Sequence, residues 1–113
     1  MNAADLTRLN HMLVAAQEAI LFANGKSLED LHNDRMLLLS LVKEIEIIGE
    51  AAKQMSPEGR AAVAGVPWSL LMAMRNRLTH GYFDWDTEIV WDTVRSDLPN
   101  FVRVLETFLS SLP

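Results

Sequence analysis

From Leu28 to Met55 the chain runs without a proline and with a single glycine, and its apolar residues recur every three or four positions. Leu38, Leu41, Ile45, Ile48, Ala52 and Met55 make one stripe of an amphipathic helix. Leu37, Leu39, Val42 and Ile47 widen it past what one neighbouring helix covers. Such a face needs a second surface, which is either another helix of the same chain or a second copy. Periodicity leaves both open.

The other long segments share this period. Leu9, Leu13, Ala16 and Ile20 form a stripe that Asn24-Gly25 ends, since both residues tolerate the left-handed conformation of a helix stop. Ser27-Leu28-Glu29-Asp30 resembles a capping box with Asp in place of Glu, and predicts a second helix running to about Met55. Ser56-Pro57 stops it, because a residue before proline is pushed out of the helical region. Pro57 to Ala64 fits a short helix, and Pro67 suits the first position of a third helix, Trp68 to about Thr79, with Gly81 beyond its end. A fourth follows a loop and cap at Asp84 to Asp86, carrying Ile89, Val90, Val94, Phe101, Leu105 and Phe108. Pro99 is expected to kink or briefly break it. No segment alternates as a half-buried strand does, so the expected fold is all-α, an up-down bundle of four main helices in one domain over residues 1–113.

Half of the 113 residues are hydrophobic and 22% are charged, the balance of a folded domain rather than a disordered tail. Ten Lys and Arg against fifteen Asp and Glu give a net charge of −5, which argues against a general nucleic-acid coat protein. It leaves room for a local basic site, because salt screens distant charge. With no cysteine there is no disulfide, thiolate metal site or cysteine nucleophile. Three histidines far apart give no zinc spacing, and no metal or cofactor is expected. The longest apolar stretch, Met36 to Val42, is too short to span a bilayer. The opening Met-Asn-Ala-Ala-Asp lacks the regions of a secretion signal, so a cytoplasmic protein without membrane contact is expected.

Polar groups crowd one place, Arg75-Asn76-Arg77-Leu78-Thr79-His80-Gly81-Tyr82. Asn76 and His80 share one helix face, as do Arg77 and His80. Arg75 and His80 are five apart, about 140° around a regular helix. They converge on one phosphate only if the helix ends near His80 and the imidazole swings back, or if a second chain completes the site. Imidazole exchanges protons near neutrality, and guanidinium pairs with phosphate oxygens through parallel hydrogen bonds. That set suits metal-independent cleavage of RNA. His80 would promote attack of the 2′-OH on its neighbouring phosphate, and Arg75 would stabilise charge on the equatorial oxygens. The products would be a cyclic 2′,3′-phosphate and a 5′-hydroxyl. By spacing alone the same cluster also reads as cations complementing a helix C-terminus.

Pro67-Trp68, Met74 to Asp84, Ile89-Val90-Trp91-Asp92-Thr93 and Ile47-Ile48-Gly49-Glu50-Ala51-Ala52-Lys53 resemble the HepT family of minimal HEPN proteins across nearly the whole chain. The family motif is Arg, four residues, His, one residue, Tyr, which Arg75, His80 and Tyr82 match. The resemblance implies a HEPN bundle that acts as the toxin of a toxin–antitoxin pair, a metal-independent endoribonuclease cutting transfer or messenger RNA. It implies that Arg75 and His80 are catalytic, with Asn76 supporting, in a homodimer whose two motifs face a shared cleft. It also implies a nucleotidyltransferase antitoxin, MntA, that transfers AMP from ATP to the motif tyrosine. Tyr82, the only tyrosine, would be the modified residue, its added charge lying where substrate phosphate must sit. Packing behind Gly81 is the other use for Tyr82. The competing function is a catalytically idle HEPN module that binds a nucleotidyltransferase or a nucleotide.

Outside the motif, Arg77 is placed as a contact to RNA phosphate, and Lys53 and Arg60 could extend a basic strip. His11 and His32 are expected at the surface, bonded to neighbours and not catalytic. The three tryptophans and the methionines read as packing. Glu44, Glu46 and Glu50, two and four apart without a nearby histidine, read as a solvated or partner-facing edge.

Overall fold

The computed structural model describes residues 1–81 and 85–113. Its described residues form helices and no strand, in the order α1 (Ala3–Ala23), α2 (Leu28–Asn33), α3 (Arg35–Gln54), α4 (Pro57–Ala62), α5 (Trp68–His80), α6 (Thr87–Asp92), a π-helical turn (Thr93–Asp97) and α7 (Leu98–Ser110). The all-α bundle expected from the sequence is the fold observed.

Helix α3 is the centre of the bundle, packed along α1 on one side and α5 on the other. The central stripe of its apolar face is therefore covered by helices of the same chain. Leu41, Ile45, Ile48 and Ala52 are buried there, while Leu39 stays 42% exposed. From α1 come Leu9, Met12, Ala16 and Ala19, and the small side chains of that face let α3 approach closely. Leu13 and Ile20 of the expected α1 stripe are only partly buried. The far side of α1 packs on α7 through Leu98, Phe101 and Leu105. Each fully buried Leu, Ile or Phe contributes about 1.5–3 kcal/mol relative to exposure.

One local feature differs from the expected helices. The capping box forms, with Asp30 N–H donating to Ser27 Oγ at 3.1 Å and Ser27 N–H to Asp30 Oδ2 at 2.9 Å. The helix it starts ends at Asn33, however, because Asp34 leaves the helical region at φ −125° and ψ 97°. Its carboxylate accepts from Leu37 N–H at 3.1 Å and begins α3. The predicted second helix is thus two helices, and the short one turns aside to pack on α6. His32 on it shares a 2.7 Å hydrogen bond with Thr87, a bonded surface position as expected.

The interruption expected at Pro99 is present and takes the form of a π-helical turn, Thr93–Asp97, that divides the segment into α6 and α7. Leu98 N–H bonds Thr93 O, one residue further back than an α-helix allows, and the wide turn this makes absorbs the missing proline donor. Val90, Val94 and Leu98, spaced by four, are all buried along that turn. At the end of α1, Gly25 takes the left-handed conformation, φ 75°.

Candidate active site

The site rests on a close approach of α3 and α5. An ideal Cβ at Gly49 would overlap Arg75 Cβ and stand 2.8 Å from the Leu71 carbonyl oxygen. Only glycine at this buried position lets the α5 backbone lie down here. The approach carries the Arg75 side chain across the flank of α3, where Glu50 follows Gly49. Arg75 Nη2 lies 2.9 Å from Glu50 Oε2, an ion pair without the alignment of a hydrogen bond. Arg75 Nη1 donates to Asn76 Oδ1 at 3.0 Å, so both ends of the guanidinium are tied. Gln54 Nε2 donates to Glu50 Oε1 at 3.1 Å. That amide, with the charges of Arg75 and Lys53, holds the Glu50 carboxyl below the usual range against its partial desolvation.

Arg75 forms one wall of an open cleft of about 400 Å³ between α1, α3 and α5. Opposite it α1 supplies Arg8 and His11, and α3 supplies Lys43, Glu46 and Glu50 between them. Sequence reasoning set His11 aside and read the glutamates as an edge. The structure brings His11 and Glu50 to the cleft of Arg75. Residue spacing gives no sign of this, because it depends on how α1 and α5 register against α3; the segment Ile47 to Lys53 stands out only through the family resemblance. Glu44 is the reverse case. It is 6% exposed rather than solvated, and burial, followed by its hydrogen bond to and repulsion by Glu18, raises its pKa to about 7.

The sequence-derived site residues divide into two groups. Arg75 and Asn76 are hydrogen-bonded to each other. His80 occupies the exposed last residue of α5, does not line the cleft, and has no hydrogen-bond partner among the described residues. The α-helical pattern continues to Gly81, whose N–H bonds Arg77 O at 3.0 Å, so the 140° offset from Arg75 is kept. Gly81 ends the helix at φ −108°, without the left-handed turn. Arg77 is exposed on another side of α5, beside a small hollow it shares with Trp85, Asp86 and Ile89. Trp85 Nε1 donates to the Leu78 carbonyl at 2.9 Å, satisfying one of the acceptors that a helix end leaves open. Tyr82 lies outside the described residues. Among the described residues no helix is long and apolar enough to cross a membrane, and no group of three His, Asp or Glu is placed to hold a metal ion.

A guanidinium fixed at a cleft, with an imidazole at the end of the same helix, is a set of groups able to bind a phosphate ester and exchange protons with it. The chain narrows that chemistry by similarity. The family model described as Ribonuclease HepT-like matches residues 12–108, and the chain belongs to that family of HEPN proteins. It is 34% identical over 101 residues to "Putative RNase TTE0752" of Caldanaerobacter subterraneus subsp. tengcongensis, covering 89% of this chain and 90% of that one. It is 30% identical over 98 residues to "Putative RNase MJ1380" of Methanocaldococcus jannaschii, covering 87% and 90%. With "Probable ribonuclease HepT" of Thermococcus cleftensis it shares 33% identity over 72 residues, 64% and 66% of the two chains. No solved structure matches the chain.

Proposed function

We propose that residues 1–113 act as one HEPN domain, a cytoplasmic, metal-independent endoribonuclease and the toxin of a toxin–antitoxin pair. The observation that carries this reading is the Arg75 guanidinium, fixed by Glu50 and Asn76 at the lip of a three-helix cleft in a chain of the HepT-like ribonuclease family. In the reaction His80 takes the proton of a ribose 2′-OH. The 2′ oxygen attacks the adjacent phosphorus, and Arg75 stabilises the charge that builds on the non-bridging oxygens. The bond from phosphorus to the 5′ oxygen then breaks. That oxygen leaves as a hydroxyl with a proton from a second imidazole, and a cyclic 2′,3′-phosphate remains.

One copy holds Arg75 and His80 on different sides of α5. The reading therefore includes a homodimer whose two motifs face a shared cleft, so that two histidines and two arginines meet one strand. Arg77, on the α5 surface away from Arg75, takes a flanking phosphate. A nucleotidyltransferase antitoxin of the MntA type silences the site by adenylylating Tyr82, two residues beyond His80. The added phosphate repels substrate phosphate.

The test is cleavage of end-labelled total transfer RNA in EDTA by the protein, Arg75→Ala and His80→Ala. Cyclic-phosphate ends should come from the parent, with each variant slower by roughly 10²–10⁴-fold. Parent-level cleavage by His80→Ala would refute the assignment.

A further inference from the structure

The cleft holds more positive charge than Arg75 alone, and that charge comes from parts of the chain far apart in sequence. Arg8 stands on the α1 wall and Lys43 on α3, both open to the same space. Among the described residues Arg75–Glu50 is the only ion pair, so neither Arg8 nor Lys43 has a carboxylate partner. The Arg8 Nε is buried with no hydrogen-bond acceptor, a donor prepared for a group that the chain itself does not supply. The carboxylates of the cleft do not cancel these cations. Glu50 is engaged by Arg75 and Gln54, which leaves Glu46 against two cations. A protein of net charge −5 thus keeps a locally positive cleft.

We infer that Arg8 and Lys43 form a second phosphate position for the RNA backbone, next to the phosphate held at Arg75. The inference rests on the ribonuclease reading and adds the track along which the strand lies. Lys43 and Glu50, the residue that anchors Arg75, are seven residues apart on α3, about 10 Å along the helix axis. That separation is too long for one phosphate to bridge and leaves room for a second along the strand. The strand crosses from the α5 wall over α3 to α1, with its 2′-OH groups free to meet the catalytic imidazole. Glu46, between the two positions, limits affinity and keeps the track open to product release.

The probe is a fluorescent single-stranded 12-mer of 2′-O-methyl RNA, which lacks the nucleophile and cannot be cut. Its dissociation constant is measured across a salt series for the protein, Lys43→Gln, Arg8→Gln, Glu46→Gln and Arg75→Gln. Lys43→Gln and Arg8→Gln should each weaken binding about five-fold at 0.1 M salt and reduce the salt slope by about 0.7, the share of one phosphate contact on a single strand. Glu46→Gln should tighten binding, a change of opposite sign that a merely structural role would not produce. Lys43 is exposed, so its variant keeps the fold whatever Arg8→Gln does. Parent affinity and salt slope in Lys43→Gln, with weakened binding in Arg75→Gln, would overturn the second phosphate position and leave the ribonuclease reading standing. A parent that binds no probe and cuts no RNA would overturn both.

Discussion

Alanine at Gly49 tests the architecture of the site at its tightest point. In an open helix position Gly→Ala stabilises by about 1 kcal/mol, because alanine loses less backbone freedom. Here the new methyl meets Arg75 Cβ and the Leu71 carbonyl oxygen at 2.8 Å. Both atoms are fixed to the α5 backbone, so no side-chain rotation relieves the overlap. Helix α5 must retreat by at least about 0.6 Å to clear the carbonyl, and further to clear Arg75 Cβ. Overpacking of this kind costs about 1–3 kcal/mol, which the propensity gain only partly offsets. The net loss is then about 0–2 kcal/mol, or a fall of up to ~8 °C in melting temperature for a chain of this size.

The same retreat moves the Arg75 guanidinium away from Glu50. RNA cleavage should fall at least about ten-fold in the variant at temperatures where it remains folded, since a 1 Å misplacement alone can cost about 10²-fold. Thermal unfolding followed by circular dichroism at 222 nm, with cleavage assayed well below the transition, separates the two effects. A variant more stable than the parent would refute the close approach of α3 and α5. A destabilised variant with parent cleavage would refute the link between that approach and Arg75.

Two further perturbations probe the buried carboxylates, and their pH dependences have opposite signs. The raised pKa of Glu44 means that its contribution is intact at low pH and lost as pH rises through about 7; Glu44→Gln should therefore gain about 1–2 kcal/mol over the parent at pH 8.5 and almost nothing at pH 5, and a pH-independent difference in melting temperature would contradict the assignment. Asp5 accepts from Ser56 N–H at 2.9 Å and Ser56 Oγ at 2.6 Å, and those bonds hold its pKa below the usual range. Its contribution is present above the ordinary value and lost as pH falls through the lowered one. Asp5→Ala should accordingly lower the melting temperature at pH 7, with the gap to the parent narrowing as pH falls below the ordinary carboxylate range; a constant gap would argue against the Ser56 bonds.

What the sequence made legible was local. The Ser27 capping box, the Ser56-Pro57 stop and the Pro67 and Gly81 limits of α5 each depend on residues within a few positions of one another, and each is found where expected. The break at Asp34 was hidden because the apolar period continues across it, and a single non-helical residue leaves no gap in that pattern. Pro99 marked an interruption of the last helix, but not its π-helical form. Val90, Val94 and Leu98 satisfy an ordinary helical spacing, and only the Leu98 bond to Thr93 reveals the extra residue. Within the site, Arg75 and Asn76 were legible as neighbours. The Glu50 contact was not, since it joins residues 25 positions apart through the register of two helices.

That register explains why Gly49 and Glu50 stand side by side. Consecutive residues of a helix point about 100° apart. When Gly49 lies directly beneath α5, its successor is turned toward the edge of the contact, where the cleft opens. A residue without a side chain brings the α5 backbone down, and a carboxylate one step later receives the arginine carried with it. Moving the glutamate to position 49 would drive the helices apart. At position 51 it would point roughly 100° further round, away from the guanidinium. The pair works only as glycine followed by an acceptor. It is this arrangement that turns Arg75, on a helix whose last turn carries only basic charge, from a solvated cation into a fixed one.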